Sequence, residues 1–128
     1  MSKNQRKTQQ RTLLKGIIEQ ASGPMTVNEI WQKASDNQDN LGMATVYRTI
    51  SLLIESHQIE KVVLSDGQAR YEMVHPKSHH HHFLCRECDR SYCFEVCPID
   101  KAEVKKIPSN FIVESHEITF FGVCSNCQ

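Results

Sequence analysis

The 128-residue sequence has no apolar run approaching the ~20 residues that cross a bilayer. Nor does an apolar stretch of the kind found in a secretory signal follow its amino-terminal charges. These absences read as a cytosolic chain, in which cysteines stay reduced and serve as metal ligands more readily than as disulfides. Net charge is also absent: 15 basic and 15 acidic residues cancel, so no global field marks a nucleic acid or a membrane surface. Hydrophobic residues make up 39% of the chain, too few for one well-filled core. Two small lobes that lean on a metal, a partner chain or both would explain the shortfall. There is no internal repeat and no long low-complexity tract. Neither H-E-x-x-H nor H-x-E…P-C-x-x-C occurs, so a hydrolytic or deaminating zinc with an open water position has no signature here. The chain does not read as an enzyme, and no small organic substrate is implied.

The charge that is present is unevenly placed. Lys3, Arg6, Lys7, Arg11 and Lys15 fall in the first fifteen residues without an acid among them, a basic arm suited to nucleic acid or simply a solvated terminus. Leu13, Leu14, Ile17, Ile18 and Ala21 recur at spacings of three and four and predict a helix over Gln5–Ala21, stopped by Gly23 and Pro24. Thr26 and Glu29 form a capping box for a second helix that turns Val27, Ile30, Trp31 and Ala34 inward. After a polar loop from Asp36 to Gly42, a third helix spans about Met43–Ser56. Its buried stripe is Met43, Val46, Ile50 and Leu53, which leaves Thr45, Tyr47, Arg48 and Ser51 outside. Two β-rich runs, Ile59–Leu64 and Ala69–Val74, flank Ser65-Asp66-Gly67-Gln68, a strong hairpin signal. Three helices followed by a hairpin is the order of a winged helix-turn-helix.

Pro76-Lys77-Ser78 reads as a hinge, and beyond it the composition changes: all six cysteines and five of the seven histidines follow residue 76. The expected elements are strands His79–Cys85 and Ser91–Glu95, a short helix Pro98–Ile107 and a last strand Phe111–Val123. Cys85-Arg86-Glu87-Cys88 and Cys124-Ser125-Asn126-Cys127 are two C-x-x-C knuckles. A two-residue gap lets both thiolates of a pair reach one zinc ion, and two pairs close a tetrahedral, structural shell. Cys93 and Cys97 are either further ligands or packed thiols; Cys97 reads as packed, and Cys93 stays open. The internal run His79-His80-His81-His82 leads straight into Phe83. On a strand, His79 and His81 would share one face and His80 and His82 the other, two pairs of ligands for two metal sites. Asp100 and His116 could join one face. Glu60, Glu72 and His75 could join the other, where a shared site would couple metal occupancy to the orientation of the wing.

Ala44-Thr45-Val46-Tyr47-Arg48-Thr49, the Asp66-Gly67 wing, His79 to His82, Cys85-x-x-Cys88, His116 and Cys124-x-x-Cys127 follow one another over nearly the whole chain as they do in the ferric uptake regulator superfamily. The sequence resembles that superfamily and is most similar to its zinc uptake regulator branch. The resemblance implies an α+β protein: a winged helix-turn-helix DNA-binding domain over residues 1–75, then a small α/β dimerisation and metal-binding domain over 76–128. It implies a homodimeric repressor bound to a double-stranded DNA operator, with the helix bearing Thr45, Tyr47 and Arg48 in the major groove. It implies structural zinc at Cys85, Cys88, Cys124 and Cys127, and one metal site in the dimerising domain at His79, His81, Asp100 and His116. A hinge sensory site would hold His80 and His82, with Glu60, Glu72 and His75 competing to complete it. The segment from Glu72 to Cys85 is one residue longer than in many relatives, which leaves the fourth hinge ligand open.

Iron and peroxide sensors of the superfamily usually carry a histidine ligand ahead of the recognition helix. No histidine precedes His57 in this chain, and the tail after Cys127 is short. Both features point to zinc as the regulatory metal, with iron, manganese or peroxide sensing as the alternatives. A reading of another class is a zinc-stapled buffer or interaction module without DNA binding, which would leave the Thr45-Tyr47-Arg48 face unexplained.

Overall fold

The computed structural model describes residues 2–37, 41–75, 79–99 and 101–128. The chain divides into two units, Met1–Val74 and His75–Gln128. The proposed hinge at Pro76-Lys77-Ser78 and part of the Asp36–Gly42 loop lie outside the described residues.

In the first unit, helix α1 spans Lys3–Gln20, α2 Val27–Asp36 and α3 Met43–Glu55. Helix α1 starts two residues earlier than the apolar spacing suggests. The Ser2 hydroxyl accepts from the Gln5 N–H and the Gln5 side chain accepts from the Ser2 N–H, a capping box that fixes the start. Lys3, Arg6, Lys7 and Arg11 are therefore exposed on a helix, and Lys15 is half-buried on it; they do not form a loose arm. Thr26 and Glu29 cap α2 in the same reciprocal way. Leu14, Ile18, Val27, Ile30, Ala34, Val46, Ile50, Leu53 and Ile59 form one buried cluster, so the three helices share a single core. Trp31 lies half-buried at its edge, with its Nε1–H donating to the Leu41 carbonyl at 2.8 Å. Helix α3 is closed by the cap Ser56 and by His57 after it, whose φ of 60° is left-handed. The Gln58 N–H returns to Leu53 O and the His57 N–H to Ile54 O, so the last carbonyls are satisfied before the chain turns into the wing.

The wing is an antiparallel pair, β1 (Ile59–Val63) and β2 (Ala69–Met73), in register from Ile59 opposite Met73 to Val63 opposite Ala69. Gly67 takes a φ of 77° in the connecting turn, a conformation in which a side chain would be strained. Met25 pairs with Tyr71 on the other side of β2 and ties the wing to the segment between α1 and α2.

The second unit is a three-stranded sheet in the order β4-β3-β5, with β3 His81–Cys85, β4 Ser91–Phe94 and β5 Thr119–Gly122. Strand β4 runs antiparallel and β5 parallel to β3. Two expectations are corrected here. The helix foreseen over Pro98–Ile107 is reduced to α4, Lys101–Val104, because all its residues are exposed and a helix this short needs packing to persist. The strand foreseen over Phe111–Val123 is a strand only at Thr119–Gly122, where β3 offers a ladder partner. The preceding Phe111, Ile112 and Val113 are exposed, Ile112 at 89%, an apolar stretch that the described residues do not cover.

Candidate metal centres and nucleic-acid interface

The two C-x-x-C knuckles are brought together by β3 and β5. Cys85 is the last residue of β3 and Cys124 follows β5 by two residues, so the parallel register sets the knuckles side by side. The turn after β3 is closed by Asp89 at φ 60°, with the Asp89 N–H on Cys85 O and the Cys85 N–H on Arg90 O. The four sulfurs lie within 4.8 Å of one another, and Cys88 Sγ is 3.9 Å from Cys124 Sγ. A tetrahedron with Zn–S of about 2.3 Å has sulfur–sulfur edges of about 3.8 Å, so these residues fit a zinc ion.

The surroundings favour the thiolate at two of the four positions, Cys85 and Cys124. N–H groups of Cys124 and Cys88 lower Cys85 to about 6. The Tyr92 hydroxyl lowers Cys124, and its own ionisation is pushed up to about 12 by the same contact. Facing these, Cys127 is pushed up to about 12 by its side-chain hydrogen bond with Cys124 and by burial. Cys88 also rises: the Arg90 N–H pulls it down, but burial and the adjoining Cys85 sulfur outweigh that pull. Without an ion the four sulfurs must share protons, and zinc uptake would release those that remain.

The strand foreseen over His79–Cys85 begins at His81, where the ladder with β4 starts, yet the histidine run still splits by alternation. His79 and His81 meet edge-on, with ring centroids 4.5 Å apart, and His116 stacks against His81 at 5.1 Å. His79 Nε2 lies 3.0 Å from His116 Nε2. The fourth group beside them is Cys97, with Sγ 3.4 Å from His116 Nε2; all four ligand atoms lie within 4.8 Å of one another. Cys97, expected to be a packed thiol, thus sits among imidazoles. Asp100, expected in this set, lies outside the described residues. Only His81 of the four is deeply buried, at 1% exposure, and its Nε2 has no hydrogen-bond partner among the described residues. Burial, and then the neighbouring charges of His79 and His116, lower its pKa and favour the neutral imidazole that binds metal.

On the other face His80 and His82 are 5.3 Å apart, and His75 lies edge-on to His80 at 5.2 Å. Cys93 is the cross-strand partner of His82, and His80, His82 and Cys93 present ligand atoms within 4.8 Å of one another. The strand register could have shown this from the sequence, had the pairing of β3 with β4 been set; Cys97, beyond the end of β4, offers no such signal. Glu60 and Glu72 face each other across the wing ladder, Glu60 exposed and Glu72 buried.

In the first unit, α3 presents Tyr47, 54% exposed, and an exposed Arg48, whose guanidinium donates to Thr45 Oγ1 at 3.3 Å. Thr45 is half-buried, and Thr49 is turned inward, with its hydroxyl on the Thr45 carbonyl. The exposed face lies near the helix N-terminus, the part that a winged helix-turn-helix offers to base edges. No helix among the described residues is long and apolar enough to cross a membrane.

These features coincide with a known family. The ferric uptake regulator family profile matches residues 2–121. The chain is 28% identical over 123 residues to the ferric uptake regulation protein of Bacillus subtilis, covering 94% of this chain and 83% of that one. It is 25% identical over 121 residues to the peroxide operon regulator of the same organism, covering 94% and 81%. FurB of M. tuberculosis, described as a zinc uptake regulator, superposes with a TM-score of 0.54 at 26% identity over 98% of both chains. The three relatives carry different regulatory names, so the likeness fixes the family without choosing the signal. The chain belongs to the ferric uptake regulator family of metal-responsive, DNA-binding transcriptional regulators, which are not enzymes.

Proposed function

We propose that this regulator is a zinc-dependent repressor of zinc uptake genes that acts as a homodimer on a palindromic operator. The observation that carries the reading is the donor set on one face of the second unit, where two imidazoles, His80 and His82, stand beside the Cys93 thiol. Nitrogen and sulfur donors in a small set suit a four-coordinate zinc ion better than oxygen-preferring manganese or six-coordinate iron. The absence of any histidine before His57 supports the same choice. A carboxylate from the wing, Glu72 or Glu60, or the imidazole of His75, would complete the shell. His79, His81 and His116, with Asp100 as a further candidate, would form the second site.

A bound ion would supply a crosslink between its ligands. With the hinge ligands engaged, fewer domain arrangements are populated, and those that fit successive major grooves ~34 Å apart gain weight. Arg48 would meet a guanine edge or a phosphate, and Tyr47 a thymine methyl or a phosphate. Lys3, Arg6, Lys7, Arg11 and Lys15 would add salt-sensitive attraction to the backbone. The exposed Phe111, Ile112 and Val113 are the apolar surface that a second copy would cover.

The test is operator binding by protein whose four-cysteine site is kept loaded, with free zinc, ferrous iron and manganese titrated separately under anaerobic, reducing conditions. Binding is expected only with zinc, at very low free concentration. A response to iron or manganese with indifference to zinc would overturn the metal assignment. Arg48→Ala is expected to weaken the zinc-dependent complex about 10- to 100-fold, the ~1–3 kcal/mol of one good base contact. Lys7→Ala is expected to lower affinity alike on all sequences and to reduce the salt dependence by about one unit of slope.

A further inference from the structure

The geometry points to Cys97 as a thiolate ligand of the metal site formed by His79, His81 and His116, giving that site three nitrogens and one sulfur. The inference rests on the reading of those histidines as a metal site and adds a donor class to it. Cys97 Sγ lies 3.4 Å from His116 Nε2, and His79 Nε2 lies 3.0 Å from the same nitrogen. Around a tetrahedral zinc ion, nitrogen–sulfur edges are about 3.6 Å and nitrogen–nitrogen edges about 3.3 Å. The four ligand atoms already enclose a volume of that size, being within 4.8 Å of one another. His81 is 1% exposed and keeps Nε2 without a partner among the described residues, an arrangement that costs stability unless something binds there.

A packing role accounts poorly for the same atoms. The thiol touches an imidazole and, at 3.8 Å, the Ile99 carbonyl, and two of its three histidine neighbours, His79 and His116, are exposed. An exposed imidazole contributes little to a core, whereas a thiol beside three imidazoles is a soft, borderline donor set. A thiolate here would narrow the site towards zinc-like ions and away from manganese.

The full-length dimer with the four-cysteine site loaded with zinc would be titrated with Co²⁺ in a Cys93→Ser background, where Cys97 is the only thiol left to reach cobalt. The expected result is a sulfur-to-cobalt charge-transfer band in the near ultraviolet that vanishes in Cys97→Ser. Cobalt binding at that site should weaken by at least the ~10-fold that even an outer-sphere partner is worth. Cobalt binding that depends on His116, tested with His116→Ala, but shows no charge-transfer band would overturn the thiolate ligand and leave the metal site standing. Cobalt stoichiometry indifferent to His116→Ala would overturn the site itself. Should Cys97→Ser fail to fold, alkylation of Cys97 in the Cys93→Ser protein decides: cobalt protects a ligand and leaves a bystander reactive.

Discussion

Without zinc at the candidate site formed by Cys85, Cys88, Cys124 and Cys127, the second unit is expected to unfold while the three-helix unit stays folded. The described residues buried in the second unit are His81, Leu84, Cys85, Ser91 and Cys124. Two of these are candidate zinc ligands, and Leu84 is the one large aliphatic side chain among them. The first unit, by contrast, buries a cluster of ten apolar residues drawn from all its helices and the wing. A sheet of strands four and five residues long with so thin a core needs another source of stability. Structural zinc in a small domain contributes about 10 kcal/mol or more, comparable with the whole stability of a typical domain. Joining Cys85 at the end of β3 to Cys124 after β5 also closes the long excursion through α4. The measurement is hydrogen exchange on the Cys124→Ser protein, or on chelated wild type, under reducing conditions. Amide protection at Phe83 and Leu84 should collapse, while that of α1 to α3 persists. Trp31, the sole tryptophan, lies in the first unit, so its emission should hold steady as an internal control. Retained protection in β3 and β5 would show that the thiols are packed and not ligating.

The same contrast explains what could be read from the sequence. Helices α1 to α3 and the wing were legible because each has a period and a start or stop signal: the apolar stripe of α1, the Thr26–Glu29 box, and Asp66-Gly67 between β-rich runs. The knuckles and the alternation of His79 to His82 were legible because spacing alone fixes which side chains can meet. The sequence misled where structure depends on a partner. Phe111–Val113 looks like strand, yet β3 offers ladder partners only to Thr119–Gly122. Pro98–Ile107 looks like helix, yet all residues of the helical part, Lys101–Val104, are exposed. Cys93 and Cys97 were ambiguous because a free thiol has no sequence period; their neighbours are set by the register of β4 and by the path beyond it.

Asp66 was legible as a turn residue, but its larger part is electrostatic, and replacing it with alanine is expected to cost the first unit about 2–3 kcal/mol. Arg70 is fully buried, at 0% exposure, and both carboxylate oxygens of Asp66 accept from its guanidinium at 2.8 Å. A bidentate pair is among the stronger polar contacts, and removing the carboxylate takes two charge-assisted hydrogen bonds from a buried guanidinium. For a unit of this size the loss amounts to a fall in Tm of about 10 °C or more. Asp66→Ala combined with Arg70→Met should recover part of it, because much of the penalty lies in a buried guanidinium that has lost its bidentate acceptor. The pH dependence follows from the same contact. The Arg70 guanidinium, with help from the Gln68 N–H, holds the Asp66 carboxyl below its ordinary range. A folded-state pKa lower than the unfolded one contributes stability that is present above the ordinary carboxylate value, near ~4, and is lost as pH falls through the lowered one. Thermal melts of the wild type, followed by Trp31 emission, should therefore lose stability below about pH 4 more steeply than those of Asp66→Asn. A variant within ~0.5 kcal/mol of wild type at neutral pH would count against the pair as a stabilising element, since surface changes fall in that range. The Asp-Gly turn would then be a hairpin device alone.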